Sequence, residues 1–292
     1  MSLPPTLVTL TGTGVPLPAP GRAGPGTLVR YGDVALQFDA GRATVLRLTE
    51  ADAPPHALTA LFVTHVHSDH VVGLADIVLT RWLFHDLHAA TPLPIVASEG
   101  AAARFVRRML EAYDDDVALR IAHVQPEPPS VDLRTFDAPP EPARVWESDD
   151  AAVTVDAVAV HHEPVTGAVA YRVTTPSGVV VISGDTRVCD EVEQLSVGAD
   201  LLVHEACRTT AMRGAIAGTS FETIFSYHAD TVPLGALAQR AAVPHLLLSH
   251  LIPPPSGDAE ADAFAADVRD GGYTGRVTVG EDLTTVSIGP AS

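Results

Sequence analysis

Thr64-His65-Val66-His67-Ser68-Asp69-His70 puts three imidazoles and a carboxylate into one short segment, directly after the apolar run Leu61–Val63. Alternate side chains of an extended chain share a face, so His65 and His67 point to the same side. A turn after them brings Asp69 and His70 round to a neighbouring position. One segment thus aims two pairs of donors at two adjacent points, and imidazole with carboxylate suits zinc and similar divalent ions. Chance yields HxHxDH at this composition on the order of once per several hundred such chains. The cluster is therefore read as half of a metal site.

Four donors do not complete two metal sites, and further candidates stand at other strand ends. His161 and His162 follow VTVDAVAV (153–160), Asp185 follows VVVIS (179–183), and His250 follows HLLLS (245–249). Donors repeated at the C-terminal ends of apolar strands predict a cleft where several strands converge. Taken as residues, His161 and His162 are alternatives for one position. His204-Glu205-Ala206 follows the run 201–203, and His228 lies in Tyr227-His228-Ala229-Asp230-Thr231. His85 and His88, one helical turn apart beside Trp82 and Phe84, are candidates for lining a pocket. His56, His123 and His245 are assigned to structure, Cys189 and Cys207 to buried packing, and Asp33, Asp39 and Asp52 to turns and caps.

The elements that must position these groups follow from periodicity and breakers. Strands are expected at 7–10, in LVRYG and VALQFDA, at 61–63 and in PIVAS, with helical spacing over 71–90 and again around 100–113. The proline-rich, acidic stretch from Pro126 to Pro142 suits loops and edge structure. Strands resume at 153–160, 169–174, 179–183 and 201–203; a helix around 233–242 precedes the strand 245–249, then come a short acidic helix and the strand RVTVG. Strands then helices, twice over, predict sheets sandwiched between helices, with two similar halves face to face.

Composition narrows the setting. The formal charge is −18, from 36 acidic and 18 basic residues, which weighs against a polyanionic substrate. Two cysteines outside any CxxC pair disfavour a disulfide framework and fit a cytoplasmic location. The N-terminus has no signal-peptide pattern, and no apolar run reaches the roughly 20 residues that span a bilayer, so no membrane partner is expected.

From TGTG at 11–14 through FDAG at 38–41 to the last histidine, the sequence resembles the metallo-β-lactamase superfamily, in particular its ribonuclease Z, arylsulfatase-like and cyclic-phosphodiesterase branches. The resemblance implies an α+β fold, a four-layer αββα sandwich, formed as a single domain over 1–292. It implies two divalent metal ions, zinc: one on His65, His67 and His162, the other on Asp69, His70 and His250, with Asp185 bridging them. His162 rather than His161 follows from family-like spacing to Tyr171-Arg172. Many β-lactamases of this fold carry a cysteine where Asp185 stands, so antibiotic hydrolysis is disfavoured. His67 replaces the glutamate of the di-iron flavoprotein relatives, which favours zinc over redox iron.

The implied catalytic residues are Asp69, orienting the solvent shared by the metals or acting as its base, and His228, assisting the leaving group while Glu205 orients it. The activity implied is hydrolysis of an ester by metal-activated hydroxide. Only 23 positions separate His162 from Asp185, with no room for the tRNA-gripping arm of long-arm ribonuclease Z. The RAGP segment at 22–25 is closer to arylsulfatase-like members. A small phosphodiester, sulfate ester or related ester is therefore the expected substrate. A ribonuclease Z-like tRNA 3′ endonuclease and a non-hydrolytic metal- or ligand-binding accessory protein are the alternatives. A homodimer stays open.

Overall fold

A computed structural model describes residues 3–88, 91–123 and 127–289, with the side chains of residues 85 and 86 outside the described set. The first half contributes β1 (Thr6–Gly12), β2 (Gly26–Tyr31), β3 (Val34–Phe38), α1 (Thr44–Glu50), β4 (Ala60–Val63), α2 (Ser68–Val71), α3 (Leu74–Leu83), α4 (His85–His88), β5 (Leu93–Ser98), α5 (Ala101–Arg108), α6 (Asp114–His123) and β6 (Val131–Phe136). The second contributes β7 (Ala143–Glu147), β8 (Thr154–Ala159), β9 (Val169–Thr175), β10 (Gly178–Ile182), α7 (Asp190–Leu195), β11 (Leu201–Cys207), α8 (Thr209–Ile216), α9 (Ser220–Phe225), α10 (Thr231–Arg240), β12 (His245–Ile252), α11 (Asp258–Asp270), β13 (Arg276–Val279) and β14 (Thr285–Ile288).

The strands form two seven-stranded sheets, ordered β14-β1-β2-β3-β4-β5-β6 and β13-β12-β11-β10-β9-β8-β7. In the first, β14 through β3 pair antiparallel and β3 through β6 parallel; in the second, β7 through β10 pair antiparallel and β10 through β13 parallel. The halves thus repeat one pattern, and β14 crosses back to close the first sheet beside β1. Parallel strands covered on both faces need unbroken apolar runs. Every residue of β4, β11 and β12 is buried.

One core lies between the sheets, where Phe38 stacks on Phe62 with ring centroids 4.7 Å apart and Tyr171 and Val203 pack beside them. A second joins the first sheet to α3 and α5 through Leu61, Ile77 and Val106; a third joins the other sheet to α7, α10 and α11 through Leu202, Leu237 and Phe264. The result is the expected four-layer αββα sandwich. Tyr171 Oη also donates to the Val63 carbonyl at 2.7 Å, and the Val169 amide to the Thr64 carbonyl at 3.0 Å. Both bonds tie the second sheet to the strand end that carries the histidine cluster.

Several elements depart from expectation. The helical spacing over 71–90 resolves into the end of α2, then α3 and α4. Gly73 interrupts it because its backbone packs against residue 41: a Cβ there would sit 2.4 Å from the Gly41 carbonyl oxygen. The helix expected around 100–113 ends at Arg108, and α6 follows with no buried residue. Helices α1, α7, α8 and α9 and strands β7 and β14 were not expected. Most are short, and one or two turns show little periodicity.

Candidate metal centre

Parallel strands deliver the site, because their C-terminal ends lie side by side. Asp39 follows β3, the His65–His70 segment follows β4, Asp185 follows β10, and Glu205 and His250 lie near the ends of β11 and β12. His162 arrives from the turn after β8. The first turn of α2 reverses the chain after His67 and presents Asp69 and His70, as alternation followed by a turn predicts.

Two local distortions aim the remaining donors. Glu205 pairs with Ser249 and Ala206 with Leu251, so His250 is the extra residue of a β-bulge, with φ of 43°. Strict alternation would send His250 to the helix face with Leu246 and Leu248; the bulge turns it into the cleft instead. A non-glycine residue in this region costs about 1–2 kcal/mol, which the packed strands on either side must offset. Gly184 has φ of 59°, and a Cβ on it would lie 2.8 Å from Thr64 Cβ. Glycine therefore lets the Ser183–Thr186 turn close on the histidine segment and carry Asp185 in.

The donors converge as two groups around Asp185. His65, His67, His162 and Asp185 offer ligand atoms within 4.8 Å of one another, and so do Asp69, His70 and His250. Asp185 Oδ2 stands 3.8 Å from His65 Nε2 and 3.9 Å from His162 Nε2, and 3.3 Å from Nε2 of both His70 and His250. Asp69 Oδ2 is 3.4 Å from His250 Nε2 and 3.7 Å from His70 Nε2. One carboxylate oxygen thus faces both groups.

The chemistry of these atoms fits cations. His65 Nε2, Asp69 Oδ2, His70 Nε2, Asp185 Oδ1 and His250 Nε2 are buried and have no hydrogen-bond partner. Each such atom costs about 1–3 kcal/mol unless something satisfies it. Five such imidazole and carboxylate atoms gathered at one point describe a place for positive charge. Burial pushes the imidazoles of His65, His67 and His162 down, with neighbouring histidines adding to it, so they stand neutral with a lone pair to offer. Burial opposes charge on His70 too, but Asp185 and Asp39 outweigh it and hold that imidazole well above its usual range. Burial likewise works to raise Asp185, but His250, His70 and His65 hold its carboxyl well below the ordinary carboxylate range.

Most ligand rings are fixed from behind. His70 Nδ1 meets Asp39 Oδ2 at 2.8 Å, His65 Nδ1 meets Thr64 Oγ1 at 3.0 Å, and His162 Nδ1 meets the Tyr227 carbonyl at 3.3 Å. Such contacts set the tautomer and leave the other nitrogen for the centre. Asp39, assigned from sequence to a turn, is therefore part of the site. Its signal was available: it ends the strand beside β4, in the same position as the other donors.

His228 lies at the rim, its ring centroid 5.1 Å from that of His162 and 5.6 Å from that of His250. Its Nδ1 donates to Glu205 Oε2 at 2.8 Å, and Glu205 Oε1 accepts the Thr186 amide at 2.6 Å. Burial disfavours charge on His228, but Glu205 more than compensates, and the pKa is pushed up to about 9. This is the expected carboxylate–imidazole pair, with Nε2 left for a substrate.

Other histidines stand apart. His161 turns outward, its Nε2 3.1 Å from Glu191 and its Nδ1 3.5 Å from Glu163, so the structure brings His162 and not its neighbour to the cluster. His88 stacks on His56 with centroids 3.6 Å apart, and the side chain of His85 lies outside the described residues. His245 bonds to Thr278 Oγ1 and His123 is exposed on α6. Cys189 and Cys207 are free and buried. Among the described residues no helix is long and apolar enough to cross a membrane.

Residues 20–234 match the family model of the metallo-beta-lactamase superfamily. The chain is 35% identical over 287 residues to "Ribonuclease Z" of Mycobacterium bovis (strain BCG / Pasteur 1173P2), covering 97% of this chain and 98% of that protein. A protein of the same name from Mycobacterium sp. (strain KMS) is 37% identical over 290 residues, covering 97% and 96%. Among solved structures, the metallo-beta-lactamase fold protein YhfI from Bacillus subtilis aligns with a TM-score of 0.75 at 22% identity, covering 97% and 99% of the two chains. The short form of human tRNase Z aligns at 0.71 and 21%, with the same coverage. This chain belongs to the metallo-β-lactamase superfamily. It is a metal-dependent hydrolase acting on ester bonds.

The relatives bear on the substrate. The expectation of a small ester gains no support from them, and the alternative, ribonuclease Z, is the name they carry. Missing room for a long arm does not separate this chain from them, because it covers 98% of the first relative's length. Nor does a total charge of −18, since a sum over the chain does not report the local field at a cleft.

Proposed function

We propose that this protein is a ribonuclease Z-type phosphodiesterase that removes 3′ extensions from precursor tRNA, using two zinc ions held on its histidine–aspartate cluster. Asp185 carries the two-metal reading, because a single oxygen faces both groups of donors. His65, His67 and His162 would hold one ion and Asp69, His70 and His250 the other, with Asp185 shared. Likeness to ribonuclease Z proteins over nearly the whole chain supports the choice of substrate.

When bound, two such cations supply charge that acidifies water and offsets the negative charge growing on a phosphodiester. The chain's own groups do the rest. Asp69 keeps Oδ2 toward His70 and His250, leaving Oδ1 to orient the attacking water and take its proton. His228, its imidazole favoured in the charged form by Glu205 and steadied at Nδ1, offers Nε2–H to the departing oxygen.

The test is a precursor tRNA with a short 3′ trailer, incubated with purified protein and with protein treated with a strong chelator. A single cut at the trailer junction, abolished by chelation and restored by zinc, supports the reading. An intact precursor beside steady hydrolysis of bis-p-nitrophenyl phosphate would return the substrate to the small-ester class.

A further inference from the structure

Among the rings gathered at the centre, His65, His70, His162 and His250 are buried, while His67, Tyr227 and His228 are only half-buried. Those three mark the side from which a substrate reaches the cleft. His67 and His228 already have roles; Tyr227 has none beyond its backbone carbonyl, which anchors His162. Its ring centroid lies 5.2 Å from that of His162 at 86° and 5.4 Å from that of His228 at 43°, so it stacks on neither. Among the described residues its hydroxyl makes no hydrogen bond. An aromatic surface therefore borders the position where the scissile group must sit.

Arg187, two residues beyond Asp185, is engaged by Glu163 at 3.2 Å. The nucleobase offers this rim a contact that Arg187 does not supply. Every nucleobase offers a π-face, and an aromatic side chain can bind it with little dependence on sequence.

We infer that Tyr227 is a specificity-determining residue that stacks on the nucleobase flanking the cleaved phosphodiester. The inference rests on the nuclease reading for its natural substrate, but not for its test. Calorimetry on the metal-loaded protein compares adenosine 5′-monophosphate with ribose 5-phosphate, which shares the phosphate and sugar but lacks the base. Wild type and Tyr227→Phe should bind the nucleotide about tenfold more tightly than the sugar phosphate. Tyr227→Leu should bind both equally, losing that preference while affinity for ribose 5-phosphate holds. On precursor tRNA the same variant should raise KM about tenfold and leave kcat within about threefold. No base preference in wild type, or equal weakening of both ligands in Tyr227→Leu, would overturn the inference. If base preference depends on Tyr227 while precursor tRNA stays uncut, the stacking role stands and the tRNA reading falls.

Discussion

Asp39 Oδ2 accepts a hydrogen bond from Nδ1 of His70 at 2.8 Å, and its other oxygen takes the amide of Thr64 at 2.8 Å. One carboxylate at the end of β3 thus fixes both a ligand ring and the backbone entering the histidine segment. Loss of such an outer contact typically lowers metal affinity 10- to 100-fold. Asp39→Asn should weaken metal binding by about that factor, measured by competition against a chromophoric chelator, with the folded content unchanged by circular dichroism. An unchanged affinity would show that Asp39 is only a turn residue.

Glu205 acts on substrate through His228, so the two should not contribute independently. His228→Ala should lower kcat about 10²- to 10⁴-fold with metal content intact. A His228→Ala, Glu205→Gln double variant should be little worse than His228→Ala alone. Full additivity in that cycle would argue that Glu205 serves the site by another route.

Gly184 holds a backbone conformation that side-chain-bearing residues avoid, and it lies against Thr64. Gly184→Ala should destabilise the fold by about 1–3 kcal/mol and displace the turn that carries Asp185. Thermal melts with and without added zinc would show a lower midpoint and a smaller zinc-dependent rise than in wild type. A zinc response equal to that of wild type would separate this turn from the metal centre.

Burial, with Arg276 nearby, pushes His245 down to about 4. Between its unfolded value near 6.5 and 4, the unfolded chain binds a proton that the folded chain refuses, so stability falls as pH drops through that window. After allowance for solvent screening at the ring edge, the loss should be about 2 kcal/mol. Denaturant titrations at pH 7 and pH 4.5 should show a smaller drop for His245→Gln than for wild type. Equal drops would mean that His245 charges freely in the folded protein.

Much of this centre is legible from type and spacing, because metal ligands occupy strand ends and apolar strands announce where they stop. The histidine segment and Asp185 fall where that rule puts them, directly after β4 and β10. Residues whose placement depends on contacts distant in sequence are harder to see. Asp39 stands at a strand end like the other donors, but the groups it bonds to lie some 30 positions away, so its role shows only once they meet. His250 was legible as a donor after the run 245–249, but its delivery was not: it sits within β12, and a bulge against β11 turns it into the cleft. Helices α8 and α9, between Glu205 and His228, cover a small apolar cluster with Ile216 and Phe225, and two short helices leave little periodic signal. Substrate was the least legible property, since a composition total cannot stand in for the surface at the cleft.

The binuclear centre is tested most directly by counting metal in purified wild type and in Asp185→Ala by inductively coupled plasma mass spectrometry. Wild type should carry two zinc ions per chain, and the variant one or none, because both groups of donors close on the same carboxylate. One ion or fewer in zinc-saturated wild type, or two retained without Asp185, would contradict a shared, two-metal site.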